Sequence, residues 1–123
     1  MDNIPPLELK ILNVMWVIDR PASVQEIIDS WNEETEPGYT TVLKKLQVME
    51  KKGTVSHEKS GKMYLYFPAV EQSSVRKSRL SSLLSEVFQN DPVRLFSTLV
   101  SESDLNDEDL KEIRRIIEEN SNE

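Results

Sequence analysis

A chain of 123 residues, 37% hydrophobic and 30% charged, is the size of one domain or of a small domain with an appendage, and it holds enough apolar matter for a modest core. Twenty-two acidic against 15 basic residues give a formal charge of −7, which by itself argues against a polyanionic partner such as nucleic acid. With no cysteine there is no disulfide, thiolate metal site or cysteine nucleophile, and a single histidine, His57, leaves no two-histidine metal site and little to build a hydrolytic triad on.

No apolar run is longer than that of Val14 to Ile18, far short of the roughly 20 residues that span a bilayer. Residues 1–6 lack a basic and an apolar signal segment, so the expected location is the cytoplasm, without membrane contact. Pro5-Pro6 opens a helix in which Leu7, Ile11, Leu12, Met15, Trp16 and Ile18 recur at helical spacing until Asp19-Arg20-Pro21 stops it. Ser23 and Glu26 form the pattern of a capping box for a second helix carrying Val24, Ile27, Ile28 and Trp31. Both tryptophans fall on apolar faces and are expected to tie these two helices together. The polar stretch from Glu33 to Gly38 is a connection.

A third helix is expected over about Tyr39–Lys52, with Val42, Leu46 and Met49 on one side and Gly53 as its stop. Thr41, Lys44, Lys45 and Lys52 cluster opposite, with Thr40 and Lys51 beside them, so one face is core and the other basic. Beyond Gly53 the period becomes two: a strand from Thr54 to Lys59, a turn at Ser60-Gly61-Lys62, and a strand from Met63 to Phe67 before Pro68. His57 is expected to face solvent or to neighbour a phosphate; Tyr64 and Tyr66 are left open between packing and wing contacts.

Helical periodicity returns from about Glu71, with Leu80, Leu83, Leu84, Val87 and Phe88 in one stripe until Asn90-Asp91-Pro92. A short helix carries Leu95, Phe96, Leu99 and Val100, a loop follows over Ser101 to Leu105, and Asn106 caps a last helix with Leu110, Ile113, Ile116 and Ile117. About fifty residues with three apolar stripes are marginal for an independent core, and a second copy of the same segment is the simplest partner. The expected dimer interface is Leu80, Leu83, Leu84, Val87, Phe88, Leu95, Phe96, Leu99, Ile113, Ile116 and Ile117.

Charge, taken by segment, removes the first objection. Residues 1–39 carry −6, residues 40–62 carry +4, residues 63–89 carry +1 and residues 90–123 carry −6. The basic excess therefore coincides with the polar face of the third helix and the hairpin turn. Lysine suits phosphates and guanine acceptors, and threonine offers a hydroxyl and a methyl to a base edge. In a helix-turn-helix the last helix enters the major groove, and a hairpin wing reaches the neighbouring backbone.

The stretches Leu9-Lys10-Ile11-Leu12-Asn13-Val14-Met15-Trp16, Ala22-Ser23-Val24-Gln25-Glu26-Ile27, Tyr39-Thr40-Thr41-Val42-Leu43-Lys44-Lys45-Leu46 and Lys51-Lys52-Gly53 resemble the BlaI/MecI family of penicillinase repressors. Leu105 to Ile113 resembles that family's last helix, so the likeness covers nearly the whole chain in order and spacing. It implies a mainly α fold with a small β-hairpin: a winged helix-turn-helix domain over residues 1–70 and a helical dimerisation domain over residues 71–123. It implies a cytoplasmic, non-enzymatic repressor that binds a palindromic operator in double-stranded DNA as a homodimer, without cofactor or metal.

Tyr39, Thr40, Thr41, Lys44 and Lys45 would begin the recognition helix, with Lys51 on its basic side and Ser60, Gly61 and Lys62 at the wing tip. Where relatives often carry an arginine on the exposed face, this chain has Val48, which points to a different operator. A protease or sensor that relieves repression is a further implied partner. The Asn-Phe bond cleaved in some relatives is absent, the aligned spot being Thr98-Leu99, and the copper-binding cysteine tail of others is excluded. The alternative is a winged-helix module for protein contact, without sequence-specific DNA binding and without its steep salt dependence.

Overall fold

A computed structural model describes residues 4–121. The elements follow as α1 (Pro6–Ile18), α2 (Val24–Asp29), α3 (Tyr39–Lys52), an antiparallel hairpin of β1 (Val55–Ser60) and β2 (Met63–Pro68), α4 (Gln72–Glu86), α5 (Pro92–Glu102) and α6 (Asp107–Ser121). The fold is thus mainly helical with one two-stranded sheet, consistent with a winged helix followed by C-terminal helices. The chain divides into two compact units between Arg79 and Leu80, inside α4. Among the described residues, no helix is long and apolar enough to cross a membrane.

The first unit holds the core. Ile11, Leu12 and Met15 of α1, Ile27 of α2, and Val42, Leu46 and Met49 of α3 close over Val55 and Tyr66 of the hairpin. Local chemistry sets the element ends. Pro6 occupies the first position of α1, and Asp19 closes that helix in the left-handed region at φ 57°. Ser23 Oγ accepts from the Glu26 amide at 3.1 Å while Glu26 Oε1 accepts from the Ser23 amide at 3.1 Å, a complete capping box. Arg20, bonded to Glu26 at 2.5 Å, holds that carboxyl below the usual carboxylate range, and the Ser23 amide adds to the effect. Gly53 ends α3 at φ 89°, a conformation that a Cβ disfavours.

The strand register pairs Val55 with Pro68, His57 with Tyr66 and Ser60 with Met63. Ala22 exchanges two backbone hydrogen bonds with Tyr66, at 2.9 and 2.7 Å, which ties the α1–α2 connection to β2 as a one-residue third strand. Ser60 belongs to the ladder, so the expected three-residue turn is the two-residue loop Gly61-Lys62, made possible by Gly61 at φ 64°.

Other boundaries also shift. Trp31 lies beyond the end of α2, folded back by a turn in which its amide donates to the Ile28 carbonyl at 3.0 Å. It packs half-buried against the core. Trp16 donates to the Val70 carbonyl at 3.3 Å, so it ties α1 to the segment after the hairpin as well. Helix α5 runs to Glu102, past the loop start expected at Ser101, because the Ser103 amide closes one more turn onto the Leu99 carbonyl.

Lys52 corrects the reading of α3. Its ammonium lies 3.2 Å from both carboxylate oxygens of Glu8 on α1. Glu8 is 2% exposed and is the one buried charged side chain among the described residues. Lys52 shares its side of α3 with Lys45, seven residues earlier, but at the C-terminal end of the helix its ammonium turns to α1 and is taken up by Glu8. Removing it strands a buried carboxylate. Lys52→Ala is expected to destabilise the protein by about 2 kcal/mol, less than the roughly 3 to 5 kcal/mol of a fully buried pair because Lys52 itself is half exposed. The pair Glu8→Leu/Lys52→Met should recover most of that in thermal unfolding; an unchanged Tm in Lys52→Ala would refute the assignment.

The second unit is different in kind. Gln89 and Asn90 break the chain after α4 with left-handed φ values of 47° and 61°. Asp91 caps α5 by accepting from the Val93 and Arg94 amides, both at 3.1 Å, and Asn106 and Asp109 cap α6 reciprocally. Arg115 bonds Glu112 and Glu119 along α6, which lowers the Glu112 carboxyl and raises the guanidinium. Yet no residue from Leu80 to Ser121 is buried.

Candidate nucleic-acid interface

Helix α3 presents its two faces as its sequence spacing requires. Val42, Leu46 and Met49 are buried, while Tyr39, Thr40, Thr41, Lys44 and Lys51 are exposed and Lys45 is half-buried. Val48 is 43% exposed, an apolar surface on an otherwise polar face. The first turn has Gly38 as its N-cap and carries no side-chain cap. Its amides are therefore not occupied by a capping side chain, and the helix dipole favours an anion at that end.

The hairpin leaves the core progressively. Along β1 burial falls from Val55 to the exposed Glu58, Lys59 and Ser60; along β2 it rises from the exposed Met63 and Tyr64 toward Tyr66. The register puts His57, Lys59, Tyr64 and Tyr66 on one face of the sheet. Tyr66, at the base, is 2% exposed, and burial pushes its phenol up from the usual value, with Glu50 adding to the shift. Tyr64, two residues nearer the tip on the same face, is 45% exposed. Of the two tyrosines, Tyr66 is thus a packing residue, while Tyr64 stands exposed on the wing.

A cleft of about 680 Å3 opens between α3 and this face of the hairpin. Tyr39, Leu43 and Gln47 form one wall, Lys59, Gly61, Lys62, Met63 and Tyr64 the other, and Ser23 and Val24 contribute from the start of α2. Of the residues expected to contact DNA, Tyr39, Gly61 and Lys62 meet in the cleft, together with Tyr64 and Tyr66. Thr40, Thr41, Lys44, Lys45, Lys51 and Ser60 lie outside its lining, and Lys52 is engaged by Glu8.

His57 does not face open solvent. Its Nδ1 lies 2.7 and 2.8 Å from the two carboxylate oxygens of Glu50 on α3, and its ring stacks on Tyr64 at 4.5 Å between centroids and 12° between planes. Lys59 places its ammonium 5.2 Å from the Tyr64 centroid. Glu50 and Met63 carried no signal in sequence. Only the strand alternation that aligns residues 57, 59, 64 and 66 hinted at the cluster.

The family model for penicillinase repressors matches residues 4–119. The chain is 24% identical over 121 residues to the methicillin resistance regulatory protein MecI of Staphylococcus aureus (strain N315), covering 95% of this chain and 98% of that one. It is 25% identical over 124 residues to the penicillinase repressor of Bacillus licheniformis, covering 99% and 97%. Among solved structures it is similar to the M. tuberculosis protein Rv0081, at 20% identity and a TM-score of 0.47 over 72% of this chain and 84% of that one.

Proposed function

The chain belongs to the penicillinase repressor family, and from that premise we propose that it represses transcription as a cytoplasmic homodimer seated on a palindromic operator. Each protomer lays α3 in the major groove, with Tyr39, Thr40, Thr41, Lys44, Lys45 and Lys51 toward the DNA. The wing tip, Gly61-Lys62 with Ser60 at the end of β1, reaches the flanking backbone. The winged-helix part spans residues 1–70, and the helical part, residues 71–123, joins the two copies. The relatives bear the names of regulators, not of enzymes, and this chain is read as a non-enzyme on that ground.

The observation that carries the reading is the placement of charge. Six lysines against two glutamates fall between residues 40 and 62, on α3 and the hairpin, in a chain of net charge −7. Five of those lysines remain outside the Glu8 pair. The acidic remainder repels nonspecific DNA, so affinity depends on two correctly spaced basic surfaces.

Selection of bound sequences from random duplex DNA tests this. The expected result is a palindromic consensus whose half-sites are about one helical turn apart or a little more. Enrichment of no sequence, with binding insensitive to salt, would support the protein-contact alternative instead.

A further inference from the structure

The cleft between α3 and the outer half of the hairpin is open, so no packed side chains hold the wing tip against the recognition helix there. Two rings and two charges join them instead. Glu50, in the last part of α3, grips His57 through both carboxylate oxygens; His57 stacks on Tyr64 of β2; and Lys59, beside the tip, lies over the same tyrosine. We propose that Glu50 and His57 are positioning residues for DNA binding, which set the height and angle of the wing against α3 and make that setting depend on the proton of His57. The inference rests on the DNA-binding reading above.

The direction follows from the charges that face the imidazole. From α3 comes the Glu50 carboxylate; from β2 come the phenols of Tyr64 and Tyr66, the latter kept neutral by burial; from β1 itself comes the Lys59 ammonium on the far side of the tyrosine column. Protonated, the imidazole and Glu50 form a charge-assisted bond. Neutral, it still donates to the carboxylate but loses the ion pair. The chain has a single histidine, so a pH dependence that His57→Phe abolishes is carried by this imidazole. Wing contacts, and with them operator affinity, should weaken as pH rises.

The test measures affinity for the selected operator from about pH 5.5 to 8.5 at fixed salt. It uses the full chain, Glu50→Gln, which keeps an acceptor and removes the charge, and His57→Phe, which keeps a ring on Tyr64. The parent should lose about fivefold in affinity across the interval, as befits a half-exposed pair, and both variants should show a flat profile near the parent's high-pH value. In the free protein, the amide resonances of residues 59–64 should move with the imidazole in the parent and stay still in Glu50→Gln. A flat parent profile, variants that keep the parent's profile, or wing amides blind to pH would overturn the positioning role. A parent that bound no duplex at any pH would overturn the DNA-binding reading itself, and the wing amides would still decide the coupling.

Discussion

Replacing Lys44 and Lys45 together with alanine is expected to lower operator affinity by about 100-fold at physiological salt and to reduce the salt slope by about two units per protomer. Each lysine contributes one counterion released on binding, and neither has an ion-pair partner described in the protein whose loss could confuse the result. The fold should survive, because Val42, Leu46 and Met49 on the opposite side carry the packing of α3 and are untouched. Fluorescence anisotropy against salt, with circular dichroism on the same samples, measures both. Undiminished affinity with the parent's slope would remove α3 from the interface.

Leu83→Asp and Phe96→Asp, made separately, are expected to convert a dimer to a monomer and to cost operator affinity of 100-fold or more, since bivalent engagement adds about two to four orders of magnitude over a single half-site. The reason is the condition of the second unit. Leu80, Leu83, Val87, Phe96, Leu99, Ile116 and Ile117 are all more than a third exposed, while Leu84, Phe88, Leu95 and Ile113 are only half-buried. Helices α5 and α6 bury none of their own residues, although burial of each such side chain would contribute about 1.5 to 3 kcal/mol. A segment that leaves this much apolar surface uncovered within one chain is covered by something, and the second copy is the occupant proposed here. Sedimentation of the parent as a monomer at micromolar concentration would refute it, and so would a variant that stays dimeric yet loses DNA.

Much of the molecule is legible in its sequence. The order helix, helix, helix, hairpin, three helices follows from periodicity, and the caps at Ser23, Gly53 and Asn106 follow from the short side chains and glycine that supply or permit them, whereas Asp91, expected only as part of a helix stop, also caps α5. The basic face was legible because a helix converts spacing into direction. Element ends were less so: Trp31 left α2 and Ser60 joined the ladder, each by a single backbone hydrogen bond or register position that no periodic signal records.

Spacing along the chain settles what is local: the kind and order of the elements, which face of α3 is apolar, and where along an acidic chain the positive charge collects. Which of those charges remain available depends on contacts between distant elements. Lys52 was withdrawn from the basic face by Glu8, 44 residues earlier, and His57 was turned from solvent to Glu50, with Tyr64 above it and Tyr66 below. Spacing fixes a side chain's direction on its own element to within a turn. Its partner depends on which distant element the core presses alongside, and a buried carboxylate such as Glu8 binds the nearest cation because leaving it unpaired costs more than ordering a lysine.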